Sequence, residues 1–268
     1  MIKYNLRKLT KSSCELINQI LPNEAELRLV KEVDKHIIES FNDAEKFVYF
    51  IGDIPAFDLR IKSIIYYFTH SDAYNEVKKK IKIVNDILDF FKSEVVSDWL
   101  KVVLSFGNYL NGTSNRGGAL GFKLDTINKL NGIKSNDKKK TLLYFMVEWV
   151  IENKSELLNN LQLVENYDPN INIVVIQELL TDMKKSFLPV LKLKEFIPMI
   201  CDPSDKTEEF LKSFYDIAAK NILDLENEIK ALEEYSESVI SFYGENPNEI
   251  SFCKLIDIFY KFFKDIRV

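Results

Sequence analysis

Glycine and proline are scarce, eight and seven in 268 residues, and the interval from Pro55 to Pro169 holds no proline at all. A chain that is broken so seldom, and is rich in Lys, Glu, Leu and Ile, favours long helices over sheets, so the predicted fold class is all-α. Cys14, Cys201 and Cys253 are odd in number, far apart and without C-x-x-C spacing. Neither a disulfide framework nor a zinc site is indicated, and a reducing compartment fits. His36 and His70 have no cysteine or acidic pair at ligand spacing, so no metal is expected. No serine, cysteine or carboxylate grouping forms a catalytic constellation, and the chain reads as a non-enzyme without a cofactor. Long apolar runs are missing too. MIKYNLRKLTKSS has no signal-peptide core, and nothing approaches the roughly 20 apolar residues of a membrane span, so a cytoplasmic protein with no membrane partner is expected.

What is present is a hydrophobic fraction of 46%, ample for a buried core. The net charge of −5 lacks the basic excess that usually accompanies nucleic-acid binding, and no nucleic-acid partner is expected. The charge is unevenly spread. Residues 101 to 140 carry Lys101, Arg116, Lys123, Lys129, Lys134, Lys138, Lys139 and Lys140 against Asp125 and Asp137, a local +6 that leaves −11 elsewhere.

Hydrophobic spacing gives the organisation. Up to about Pro55 the pattern predicts short helices: SSCELINQIL closed by Pro22, NEAELRLVKEVDKHI, and DAEKFVYFIGDIP. From Phe57 it lengthens. Val77, Ile81, Val84, Leu88, Phe91 and Val95 alternate by four and three, the seam of a coiled-coil helix. Ile173, Ile176, Leu180, Met183, Phe187 and Val190 form a second seam. The third runs through Leu211, Tyr215, Ala218, Ile222, Leu225, Ile229, Leu232, Ser236, Val239 and Tyr243, with Glu226 and Lys230 set as an i,i+4 pair and Gly244 as the stop. Three seams so separated predict an elongated molecule: a rod that runs out, builds a globular end over about 96 to 165, and returns. TLLYFMVEWVIENK (141 to 154) belongs to that end as a helix, and ISFCKLIDIFYKFFKDI (250 to 266) is expected to pack on it. Trp99 and Trp149, both in apolar helical patterns, are expected in the core.

Five of the eight glycines fall within fifteen residues, in GNYLNGTSNRGGALGFKLDTINKL, residues 107 to 130. A Walker loop has G-x-x-x-x-G-K-[ST] after a strand; Gly112 and Gly117 have the spacing, but Gly118 stands where the lysine belongs. Gly117, Gly118 and Gly121 do not make G-x-G-x-x-G either. DWLKVVLSFGNYLNG has helical spacing, so these glycines follow a helix. Gly107 inside that helix costs on the order of 1 kcal/mol relative to alanine, which makes sense where another group, internal or foreign, must approach the backbone closely.

These residues carry a resemblance. GNYLNGTSNRGGALGFKLDTINKL resembles the signature of the formin homology 2 domain, the actin-assembling core of formins: G-N-[YF]-[ML]-N, a polar turn, G-F-K-L and L-x-K-L. IKSNDKKKTLLYFMVEWV, LPNEAEL, DAEKFVYFIGDIPAFDLRIKSIIYYF and FYGENPNEISFCKLIDIFYKFF are similar to further family segments in the same order. The likeness covers about residues 10 to 265. It implies a knob remainder over 1 to 56, a three-helix coiled-coil rod over 57 to 95 with 172 to 243, and a globular post over 96 to 165 with 250 to 268. It also implies that the chain begins inside the knob, without the tryptophan-bearing lasso, the linker and the early knob segment.

For function, the resemblance implies actin as partner and a place in the cytoskeleton. The intact family domain nucleates filaments and stays at the barbed end as a dimer; this chain is expected to bind or cap weakly. Lys123 matches the family's actin-contacting lysine, and Phe122, Leu124, Arg116 and Lys129 extend that face. Gly107, Asn108, Tyr109, Asn111 and Gly121 match the post motif that receives the lasso of a second formin protomer. Profilin enters only indirectly, through a proline-rich segment this sequence does not contain. The lysines 138 to 140 are predicted in the first turn of the helix through TLLYFMVEWV, capped by Ser135 or Asp137, where the macrodipole disfavours them unless an acidic partner compensates. Two other readings compete: a coiled-coil scaffold or microtubule-binding module using the same basic face, and nucleotide hydrolysis at the glycine loop.

Overall fold

The computed structural model describes residues 9–158, 161, 168, 170–200 and 205–266. Its described residues are mostly helical, and their only β pairing is an isolated bridge between Lys134 and Thr141. The all-α expectation holds. Cys201, and residues 159–165 of the predicted globular end other than Leu161, lie outside the described residues.

The chain divides into two compact units, Met1–Val77 with Glu178–Glu226 and Lys78–Gln177 with Asn227–Val268. The first opens on three short helices, α1 (Lys11–Gln19), α2 (Glu24–Lys31) and α3 (Asp43–Gly52). Each begins with a reciprocal capping box, Thr10 with Ser13, Asn23 with Glu26 and Asn42 with Glu45. A box satisfies two otherwise orphaned backbone donors, and so lets helices of two or three turns start where they do. α2 stops at Lys31, and a short 3-10 helix, Lys35–Ser40, takes up the rest of the stretch predicted as one helix.

α4 (Phe57–Phe91) carries no glycine or proline. In the first unit its N-terminal part packs with α7 (Ile173–Ile200), α8 (Thr207–Lys212) and the start of α9 (Tyr215–Phe242). Ring pairs mark these contacts: Tyr66 with Phe187 at 5.2 Å, Tyr67 with Phe214 at 5.3 Å, and Phe187 with Tyr215 at 5.5 Å between centroids. The seam residues Leu180, Met183, Phe187, Val190, Leu211, Ala218, Ile222 and Leu225 are buried. Arg60 is buried as well, donating to Pro55 O (2.8 Å) and Thr207 Oγ1 (2.5 Å) and pairing with Asp205 at 2.6 Å. Glu226 pairs with Lys184, and Lys230 with Glu234, so the expected Glu226–Lys230 pair does not form. A partner on the next helix competes better than one on the same helix.

In the second unit Ile81, Val84, Leu88, Phe91, Ile173, Ile176, Ile229, Leu232, Ser236 and Val239 are buried in the same way. The α4 seam ends earlier than its spacing suggests. α4 stops at Phe91, Ser93 caps α5 (Glu94–Asn111), and half-buried Val95 belongs to α5. α9 ends in a Schellman motif on Gly244 (φ 71°), with Gly244 N–H donating to Ser241 O (2.9 Å) and Glu245 N–H to Ile240 O (3.3 Å).

α10 (Phe252–Ile266) buries Phe252, Leu255, Ile256, Ile258, Phe259, Phe262, Phe263 and Ile266, a full apolar stripe. It packs on α6 (Leu142–Asn153) and on the 3-10 helix Leu124–Gly132. Phe91 stacks on Phe259 at 4.5 Å, and the Tyr243 hydroxyl donates to Phe91 O. Trp99 is fully buried and its Nε1 donates to Leu157 O at 3.1 Å. Trp149 does not share that fate: it is 38% exposed, with its ring edge-on to Phe106. α6 is apolar all round and buries only Leu142, Leu143, Met146 and Val150, so periodicity alone could not say which of its faces turned inward.

Candidate protein-binding face

The glycine-rich stretch begins in the last turns of α5 and is folded by its own residues. Asn108 is the staple. Its Nδ2 donates to Ala119 O at 2.9 Å and its Oδ1 accepts from Ala119 N–H at 2.8 Å, closing the loop 109–118 with two bonds from one side chain. Gly112 caps α5 at φ 52°, accepting the left-handed turn out of the helix. A Cβ at Gly117 would lie 1.9 Å from Gly112 O, so only glycine fits there. These features have internal reasons. Gly107 and Gly121 have none, since a Cβ at either would meet nothing within 4 Å. Among the described residues, no group makes the close approach that Gly107 could have served.

The loop pushes apolar groups outward. Leu120 is fully exposed, Tyr109 is 84% exposed and Leu110 is 59% exposed. Tyr109 lines a cavity of about 420 Å³ with Phe106, Trp149, Val102, Lys101 and Lys154. Gly121 and Phe122 line a second, of about 280 Å³, with Leu100, Leu104, Phe242 and Tyr243. Asn111 is exposed at the helix end, its carbonyl accepting from Ser114 N–H at 3.0 Å.

Lys123 follows directly and is exposed. Its backbone is held on both sides: Phe122 is half-buried, Leu124 is 4% exposed, and Leu124 N–H donates to the Glu245 carboxylate at 3.3 Å. Lys123 O then accepts from Thr126 N–H at 2.9 Å, opening the 3-10 helix. The ammonium therefore projects from a fixed base. Leu124 is too deeply buried to touch a partner, and its place in the predicted contact set is corrected to that of an anchor. Glu245, which the sequence reading did not single out, is the second anchor; a lone glutamate after a helix stop carries no pattern that could have announced it.

The predicted cations do not act alike. Lys101 pairs with Asp98 at 2.7 Å, Lys129 with Asp125 at 2.9 Å and Lys140 with Glu148 at 3.0 Å. A hydrogen bond from Lys101 holds the Asp98 carboxyl below its ordinary value, and one from Lys129 does the same for Asp125. Among the described residues, Arg116, Lys123, Lys134, Lys138 and Lys139 have no ion pair. The helix-dipole expectation fails. Thr141 is the N-cap of α6, accepting from Tyr144 N–H at 3.1 Å, so Lys138, Lys139 and Lys140 precede the helix rather than fill its first turn. They sit on a hairpin-like turn in which Leu142 N–H donates to Ile133 O (2.7 Å) and Ser135 N–H to Lys140 O (2.9 Å).

No group of three or more His, Cys, Asp or Glu side chains that could hold a metal occurs among the described residues. The glycine loop follows a helix instead of a strand, which removes the geometry a Walker loop requires. What the surface offers is an anchored lysine, exposed apolar groups and two aromatic-lined hollows, an arrangement suited to binding another macromolecule.

Comparison with known proteins agrees with that arrangement. The family profile described as the Formin Homology 2 Domain matches residues 1–267. Formin-H of Dictyostelium discoideum is 29% identical over 237 residues, covering 85% of this chain and 21% of that protein. Human Formin-like protein 1 is 28% identical over 266 residues (97% and 23%), and mouse Disheveled-associated activator of morphogenesis 1 is 25% identical over 266 residues (96% and 24%). The chain thus spans between a fifth and a quarter of the length of these relatives.

Proposed function

The chain belongs to the formin homology 2 family, and from that premise we propose that it is an actin-binding module acting by contact alone, without chemistry, in the cytoskeleton. The observation that carries the reading is Lys123, an exposed cation without an ion pair among the described residues, whose neighbours Phe122 and Leu124 are anchored in the fold. A charge fixed at its base loses less freedom on docking than one on a mobile loop, and actin is acidic. Phe122, Arg116 and Lys129 border it; the pairing of Lys129 with Asp125 makes it the weakest contributor of the four.

In the same reading residues 1 to 56 are knob, 57 to 95 with 172 to 243 rod, and 96 to 165 with 250 to 268 post. Gly107, Tyr109, Asn111 and Gly121 receive the lasso of a second protomer, while Asn108 shapes the loop they stand on. Nucleation and barbed-end residence then depend on two linked halves, whose avidity a single half lacks. Profilin would act through a separate proline-rich segment.

The test is co-sedimentation with actin filaments together with a pyrene-actin assembly assay, comparing the protein with Lys123→Ala. Loss of one positioned cation at a docked interface should weaken binding about 10-fold or more. Equal binding and superimposable assembly traces at saturating protein would refute the assignment of Lys123.

A further inference from the structure

The turn between Ile133 and Leu142 is built to present lysines. Its one carboxylate, Asp137, is engaged by the turn itself, accepting from the Ser135 hydroxyl and from Lys139 N–H at 3.1 Å. Lys138 N–H donates to Ser135 O at 2.8 Å, and Lys138 adopts φ 57°, a left-handed conformation that a lysine enters only at some cost. Lys134, Lys138 and Lys139 are exposed and without an ion pair among the described residues. Apolar groups flank them. Ile133, Tyr144 and Phe145 are 48%, 45% and 40% exposed, and the Lys140 ammonium lies 4.2 Å from the Tyr144 ring centre and 5.5 Å from that of Phe145. Lys140 itself is held by Glu148, so it joins the aromatic pair to the turn while the other three lysines face solvent.

We propose that this turn is a contact site for an anionic phospholipid bilayer. Every cation on it is a lysine, a compact point charge suited to a diffuse and laterally mobile anionic surface. Exposed tyrosine and phenylalanine beside lysine is the composition of the membrane–water boundary, where rings settle at headgroup depth. The net charge of −5 does not oppose the contact, because charges farther than about 8 Å from the surface are screened at physiological salt. No described helix is long and apolar enough to cross a membrane, and a peripheral contact requires none. The expectation of no membrane partner came from that missing span and does not bear on surface binding.

The experiment is co-sedimentation with phosphatidylcholine vesicles with and without phosphatidylserine, at low and physiological salt. The protein should bind only the phosphatidylserine vesicles, and less at higher salt. Each lysine near an anionic surface raises partitioning about fivefold, so Lys134→Ser with Lys138→Gly and Lys139→Ser should lower it roughly 100-fold. Glycine suits the φ of position 138, so the turn keeps its fold, and an unchanged thermal midpoint verifies this. Lys123→Ala should bind vesicles as the unaltered protein does, which separates this site from the proposed actin contact. Absence of phosphatidylserine-dependent binding overturns the proposal. So does a triple variant that binds vesicles normally, or one whose only deficit is in binding actin filaments.

Discussion

Replacing Gly117 by alanine tests whether the glycine loop is a fixed platform. The added Cβ would stand 1.9 Å from Gly112 O, against the 3.0 Å below which real Cβ contacts essentially never fall, so the backbone must move by about 1.1 Å. The atom in the way is main chain, which cannot swing aside as a side chain would. The loop is tied by the two Asn108 bonds to Ala119 and by Gly117 N–H donating to Ser114 O at 2.9 Å. A shift of that size breaks one to three of these bonds. At roughly 1 kcal/mol each, and with solvent available to the released groups, the loss is about 1 to 3 kcal/mol. Thermal unfolding should fall by some 2 to 4 °C per kcal/mol. Amide exchange across 114–119 should quicken, while the backbone at Lys123, held separately by buried Leu124 and its bond to Glu245, should keep its protection. Gly121→Ala, with open space around it, is the control and should leave stability unchanged. A Gly117→Ala protein with unaltered midpoint and unaltered amide protection would refute the platform.

Arg60 and Gly107 offer two further tests. Arg60→Met leaves the Asp205 carboxylate without its buried guanidinium and should cost about 3 to 5 kcal/mol by urea titration at neutral pH. Burial pushes the Asp205 carboxyl up, but hydrogen bonds from Arg60 and Thr207 outweigh it and hold it well below the ordinary 3.8. Because the folded value is the lower one, the stabilisation is present above the unfolded pKa and is lost as pH falls from about 3.8 through the folded value. Arg60→Met should flatten that acid limb, and an unchanged acid profile would contradict the assignment. Gly107→Ala should stabilise the isolated chain by up to about 1 kcal/mol, since it lies inside α5 with nothing among the described residues near its Cβ position. A destabilised Gly107→Ala chain would show an internal role instead.

The parts of the fold legible in the sequence were those fixed by periodic burial. Each seam residue from Ile173 to Val190 is buried because a three-and-four repeat on a long helix admits one inward face. α6 defeated the same logic: with apolar residues on every face, Trp149 and Trp99 look alike in the sequence, and only packing puts one under Leu157 and leaves the other beside Phe106. Local competition was hidden as well. Ser135, Asp137 and Thr141 are all good caps, and Thr141 took the position because the Lys134 to Thr141 bridge brings the helix start there. Charge pairing was the least legible. Glu226 had a same-helix lysine at favourable spacing and chose Lys184 across the helix interface.

Glycine distribution complements the charge pattern. A loop that needs glycine only for its own folding would hold it at Gly112 and Gly117, where a left-handed φ and a 1.9 Å approach leave no alternative. Gly107 and Gly121 meet neither condition, and Gly107 weakens the helix it occupies. Open space surrounds both among the described residues. Under the proposed reading that bare backbone is where a second protomer docks, and Gly121 lines the hollow walled by Phe122, Phe242 and Tyr243.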